Sequence, residues 1–150
     1  MYRNSMTIRR FQDYCWEEVE RLVYKERSEH FRAVTRQILF GEELGLQAQL
    51  RYFEIAPDGH STLERHQHAH GVMILRGRGE ALLGNRIETV AEHDLVSIPP
   101  LCWHQFRATR NEPLGFLCLV NCERDRPQLP TAEDLLELRC DAAVSRFIRS

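Results

Sequence analysis

The chain has 150 residues, of which 43% are hydrophobic and 28% charged, the size and balance of one soluble globular domain rather than a disordered chain. A formal net charge of -2 offers no basic field to nucleic acid or to an anionic membrane surface. No apolar run approaches the ~20 residues of a membrane helix, and the first residues lead into charged ones without the apolar core of a secretory signal. The cysteines are Cys15, Cys102, Cys118, Cys122 and Cys140. Their odd number and the lack of a C-x-x-C pair fit a reducing, cytoplasmic setting better than a disulfide framework.

Residues 1–34 form an N-terminal arm that admits two readings. Phe11, Tyr14, Cys15, Val19, Leu22 and Val23 fit a helical period, with Glu17, Glu18 and Glu20 as good helix formers. The other reading is an extended arm lying on a neighbouring subunit. From position 35 the rhythm changes to short strands. One is expected over 35–40, stopping at Gly41, and a longer one over 46–55. Ala56-Pro57-Asp58-Gly59 then reads as a turn by its own chemistry. Further strands are expected over 61–66, 71–75, 80–83 and 86–90, the last two joined at Gly84-Asn85 as a hairpin. Strands over 94–98, 104–108 and 114–120 complete the set, with Pro99-Pro100 as a break. Tyr52, Phe53, Met73, Phe106 and Phe116 are expected in the core, and Arg76 and Arg78 as solvated charges at a strand end. Strands at this spacing suggest a sandwich or barrel over 35–122.

The tail, 123–150, opens on the proline-broken stretch 125–130. Thr131 should cap a helix with Glu133 and Asp134 in its first turn. Leu135, Leu136 and Leu138 give it an apolar side, and 142–148 suggests a second short helix packed on the outside of the barrel.

The stretch Glu64-Arg65-His66-Gln67-His68-Ala69-His70 carries the chemistry. Glu64, His66, His68 and His70 share one parity and so one face of a strand. Imidazoles and a carboxylate crowded on one face suit a metal ion. A straight strand would hold Glu64 and His70 ~20 Å apart, so the chain must bend near 67–69 for them to converge. His104, after the Pro-Pro turn, is the candidate ligand from elsewhere. Glu64 could equally pair with Arg65 or another arginine. Cys102 reads as a small buried residue that could line the mouth of a site, and His30, His60 and His93 as surface histidines.

With 59–104 in view, the chain resembles the small single-domain cupins. That family carries the motifs G-x5-H-x-H-x3-4-E-x6-G and G-x5-P-x-G-x2-H-x3-N. Pro99 and His104 match the second motif in spacing, while His93, Leu101 and Ala108 stand at its glycine and asparagine positions. The stretch Ile74-Leu75-Arg76-Gly77-Arg78-Gly79 resembles the strand after the first motif. Pairing His66 with His68 in the first motif puts Val72 or Met73 at the glutamate position. Pairing Glu64 with His66 instead puts His70 and Gly77 in register, and is similar to a four-histidine branch with glutamate in the first place. His68 then lies in the bend, as the alternative fourth ligand.

The resemblance implies an all-β fold, a double-stranded β-helix or jelly-roll barrel, with the arm and a short helical tail. It implies one divalent transition metal ion (Fe, Mn, Ni, Cu or Zn) held by His66, His70 and His104 with Glu64 or His68. It further implies an enzyme acting on a small organic molecule, a dioxygenase or related oxidoreductase ahead of an isomerase or lyase. The residues themselves name no general base, and His68 is the one nearby candidate. The alternatives are a small-molecule-binding or sensor cupin and a metal-free structural barrel. Small cupins of this kind pair as homodimers through edge strands, and no nucleic-acid or membrane partner is expected.

Overall fold

Strand follows strand because short runs of alternating or wholly apolar residues are separated by turn formers. A computed structural model of the chain describes residues 6–23 and 32–150; the expected surface position of His30 lies outside them. The arm contains β1 (Phe11–Gln12), β2 (Cys15–Trp16) and β3 (Arg21–Val23). The barrel strands are β4 (Arg32–Phe40), β5 (Ala48–His60), β6 (His70–Arg76), β7 (Arg78–Leu83), β8 (Arg86–Ala91), β9 (Leu95–Ile98), β10 (His104–Ala108) and β11 (Leu114–Asn121). The helices α1 (Ala132–Leu138) and α2 (Ala142–Phe147) close the chain.

The strands pair antiparallel in the order β8-β7-β10-β5-β11-β6-β9, with β4 added to β5 and β3 to β4. The sheet curls into the jelly-roll barrel that the sequence predicts. Long β5 is its hub, pairing with β4, β10 and β11. Register decides what faces inward. Leu114 lies opposite Ile55, Phe116 opposite Phe53 and Ile74, and Cys118 opposite Arg51 and Val72. Ile55, Val72, Ile74, Leu114, Phe116 and their neighbours form the interior core.

Six expectations are corrected. The helical reading of the arm fails over the described residues, because Asp13, Tyr14 and Glu18 have positive φ (50, 57 and 59°), which no right-handed helix admits. The arm is extended and packs on its own sheet: Tyr14 stacks on Tyr52 with ring centroids 6.0 Å apart, and Trp16 meets the same ring edge-on at 5.4 Å. The turn at 56–59 is absorbed into β5, although Asp58 keeps a left-handed φ of 63°. Pairing wins there over local turn chemistry, since Asp58 N donates to Thr109 O at 2.8 Å and His60 pairs with both Arg32 and Arg107. That pairing also makes His60 half-buried rather than a surface residue.

The strand expected over 61–66 is instead an extended run tied by two isolated bridges, Glu64 to His104 and Arg65 to Gln128. Finally, Met73 faces outward and is exposed, and Arg76 is no solvated charge, because it pairs with Glu54 at 3.0 Å. Tyr52 is buried as expected, but beneath the arm on the outer face of the sheet.

The tail forms the two expected helices, with Leu136 departing from the expected apolar side. Thr131 and Asp134 form a reciprocal capping box at α1. Leu135 and Leu138 pack with Leu63, Leu82, Val144, Phe147 and Ile148 on the outside of the barrel, while Leu136 points to solvent. Buried Gln105 clamps the end of the chain, donating to Arg149 O at 2.8 Å and accepting from Arg149 N at 2.9 Å. No described helix is long and apolar enough to cross a membrane.

Candidate metal centre

The bend demanded by the parity argument falls at Gln67–His68. It delivers His66 from the run before the bend and His70 from the start of β6, while His104 comes from the start of β10. Backbone pairing sets the distances: Glu64 N donates to His104 O at 3.2 Å, and His104 N to Glu64 O at 3.0 Å. The Pro99-Pro100 turn is tied to the same place, with Leu101 N donating to His66 O at 2.7 Å. One ligating atom from each of His66, His70 and His104 lies within 4.8 Å of the others. The ring of His66 stacks against those of His68 and His70 at 3.9 and 4.2 Å.

Tautomers follow from the outer partners. His66 Nδ1 is 2.8 Å from His68 O, and His104 Nδ1 is 2.9 Å from Cys102 O. A carbonyl only accepts, so both Nδ1 atoms carry the proton and both Nε2 atoms present lone pairs. His66 is 2% exposed, and its Nε2 is buried with no partner among the described residues. A buried acceptor left so is costly unless something binds it.

Burial also holds the imidazoles neutral, the form that ligates. It pushes His70 down to about 2, helped by His66 and His104, and His104 down to about 4. His66 is lowered for the same first reason. Glu64 moves the other way: burial lifts its carboxyl to about 7, partly offset by Arg51. Its Oε1 lies 4.0 Å from His104 Nε2. Three neutral imidazoles, an orphaned buried nitrogen and an adjacent carboxylate fit a divalent transition metal ion. They do not make a thiolate zinc site.

His68 is neither in solvent nor in the cluster of three. Its Nδ1 is 2.6 Å from Asp125 Oδ1, and its Nε2 is 3.1 Å from His70 Nε2. Asp125 also accepts from Gln67 N at 2.7 Å and His68 N at 3.1 Å. Those contacts, the Gln67 N–H first, hold its carboxyl well below the usual range. Asp125 was not anticipated from sequence. Nor were Cys118, whose Sγ is 3.3 Å from His70 Nδ1, and Arg51, whose Nη2 is 3.5 Å from that sulfur. Register alone could have found them, since Cys118 lies opposite Arg51 across the β5–β11 pair. Cys102 is half-buried near Gly84 and is not part of the cavity wall.

A cavity of about 360 Å³ opens beside the histidines, walled by His70, His104, Glu64, Phe53, Phe116 and Arg51. A larger groove of about 1130 Å³ runs under the arm but contains no histidine.

Comparison with known proteins agrees with this architecture. Residues 51–120 match the model of the cupin domain. The chain is 61% identical over 136 residues to a Rhodospirillum rubrum protein named 1-methylthio-D-xylulose 5-phosphate methylsulfurylase, covering 90% of this chain and 86% of that protein. A crystal structure from Rhodospirillum rubrum described as a cupin-2 domain is 61% identical, with TM-score 0.87 and 91% of each chain covered. A cupin 2 conserved barrel domain protein from Rhodopseudomonas palustris is 51% identical, with TM-score 0.92, covering 96% of this chain and 100% of that one. With a histidine cluster at one end of an antiparallel jelly roll and relatives this similar along nearly its whole length, the chain belongs to the cupin family.

Proposed function

We propose that the chain is a metal-dependent cupin enzyme that removes the methylthio group from C1 of a 1-methylthio-2-ketopentose 5-phosphate and passes it to a thiol. The observation that carries this reading is the 61% identity to the methylsulfurylase over 90% of the chain. In the reaction the thiol sulfur bonds to the methylthio sulfur as the C1–S bond breaks. The bonding pair passes to C1 as an enolate conjugated with the C2 carbonyl, and a proton on C1 completes a 1-deoxyketose phosphate. The thiol sulfur is oxidised to a disulfide and C1 is reduced. The proton lost by the thiol matches the one gained at C1, so no outside oxidant is consumed.

His66, His70 and His104 would hold a divalent ion, which when bound would act as a Lewis acid toward the carbonyl oxygen. Burial keeps those imidazoles neutral, so they are ready as ligands and leave proton transfer to other groups. Glu64, at about 7 and next to His104, is placed to hold the proton that C1 requires. With Glu64 holding that proton, His68 would be the fourth ligand of the metal in this reading, and Asp125 orients His68. Phe53, Phe106 and Phe116 give the cavity an apolar wall that limits water at the enolate.

Three histidines in a cupin equally suit dioxygenase chemistry or a binding role, and one assay separates the three. Protein made without a histidine tag is reloaded in turn with Fe(II), Mn(II), Ni(II), Cu(II) and Zn(II), then given 1-methylthio-D-xylulose 5-phosphate and a small thiol without O2. The expected products are 1-deoxyketose phosphate and a methyl disulfide in equal amounts, abolished by His104→Ala together with the bound metal. No turnover with any metal, or a strict need for O2, rejects the reading.

A further inference from the structure

We infer that Arg51, with Arg36 and Arg124, forms a phosphate-monoester subsite in the cavity beside the three histidines. The argument starts from parity. Arg51 shares the inward face of β5 with Phe53 and Ile55, a face on which a barrel normally keeps apolar side chains. It is only 8% exposed. Its guanidinium lies over the Phe53 ring, 4.9 Å from the centroid, and touches Cys118 Sγ at 3.5 Å. Its Nε is buried without a partner, and no carboxylate among the described residues pairs with it. A buried cation without a counter-ion is costly, so a site that keeps one is built for an anion that arrives from outside.

Two further cations line the same cavity. Arg36 comes from β4, opposite Phe53, and Arg124 from just beyond β11. Arg124 is fixed by neutral acceptors: Nη1 donates to Asn121 O at 2.9 Å and Cys122 O at 3.2 Å, and Nη2 to Gln49 Oε1 at 3.3 Å. Its charge is therefore oriented but not neutralised. Burial, then the guanidiniums of Arg51 and Arg36, hold Arg124 below its ordinary value, so the three lie close enough to repel one another. Among the described residues the single carboxylate in the cavity wall is Glu64, whose near neighbour is His104 Nε2 at 4.0 Å rather than an arginine. Holding the charges of Arg51 and Arg124 beside one cavity gains little unless an oxyanion lies between them. A phosphate monoester carries close to two charges and offers three acceptor oxygens to planar, forked donors. Ser61 and Thr62 add hydroxyls to the wall.

The subsite stands on this geometry; its occupant being a ketopentose 5-phosphate rests on the reaction proposed above. The phosphate would anchor at the arginines, leaving the C1–C2 end toward the histidines.

The test is calorimetric titration of the metal-loaded protein with orthophosphate, sulfate, ribulose 5-phosphate and ribulose, with metal content and melting temperature checked for each variant. Wild type is expected to bind ribulose 5-phosphate and orthophosphate but not ribulose. Arg51→Gln and Arg124→Gln should each weaken both phosphates by about ten- to hundredfold, and Arg51→Lys by less. Arg124 is on the exposed rim, so its variant carries the test even if Arg51→Gln misfolds. Sulfate matching the phosphates in every variant would make the subsite a general oxyanion site and overturn its assignment to phosphate esters. Unchanged affinity in both glutamine variants, or ribulose binding as well as its phosphate, also overturns it. Phosphate binding that depends on the arginines without turnover of the methylthio sugar would leave the subsite standing and sink the reaction. Turnover with KM unchanged in Arg51→Gln and Arg124→Gln would do the reverse.

Discussion

Asp125 shows how much of the site is built by residues that never reach the cluster of three. Its carboxylate accepts two backbone N–H groups at the bend and the imidazole of His68, which in turn meets His70. Removing a partner of this kind from a metal site typically weakens the metal about ten- to hundredfold. Asp125→Asn keeps size and shape but loses charge, so we expect that loss of affinity with an unchanged circular-dichroism spectrum. Competition with a chromophoric chelator measures it. An unaltered affinity would mean that other contacts set the bend. His66, His70 and His104 were legible because spacing and parity are properties of the chain itself. Asp125, Arg51 and Cys118 were not, because each is brought to the site by contacts between segments far apart in sequence. His68 lies in the bend, but its tie to Asp125 was not legible, because that partner lies 57 residues away.

At the scale of elements, one parity switch organises the sheet around β5. Odd positions Arg51, Phe53 and Ile55 face the cavity and core, while Tyr52 and Glu54 face the arm. Tyr52 donates to Glu54 at 2.8 Å, Arg76 pairs with the same carboxylate, and Arg76 lies over the Tyr14 ring at 4.4 Å. Burial and Glu54 push the Tyr52 phenol far above its ordinary value, so it stays a donor. The arm is thus pinned by a polar cluster under aromatic rings, a tertiary arrangement that overrides the helical period of residues 11–23. The same competition explains why 56–59 joins β5 despite its turn chemistry. Gly115 on β11 completes the cluster, since a Cβ there would strike the Tyr52 hydroxyl. Gly115→Ala must displace Tyr52 and loosen the arm. We expect a loss of about 1–3 kcal/mol in urea unfolding, with faster proteolysis near Tyr14. No change in the unfolding midpoint would show that Tyr52 shifts freely.

For the whole molecule, the shifted groups combine into a pH dependence with a definite sign. His70 at about 2 and His104 at about 4 lie far below their ordinary value of 6.5. As pH falls below 6.5, the unfolded chain takes up protons that the folded, metal-free chain refuses, and stability drops. Glu64 opposes this: at about 7 against an ordinary 4.5, the folded state holds a proton that the unfolded state has released. Its contribution therefore shrinks as pH rises from 4.5 to 7. The imidazoles outnumber it and their burial is deeper as a set, so the net stability of the metal-free protein should fall between pH 6.5 and 4.5. A bound ion adds stability through its preference for the folded state. It must compete with protons for the same nitrogens, so the increment should shrink over the same interval. Melting temperatures of metal-free and metal-loaded protein between pH 5 and 8 decide the matter. A metal-free melting temperature that rises on acidification from pH 6.5 would mean that the histidines are not held neutral by burial. The chemistry assigned to their free nitrogens would then lose its basis.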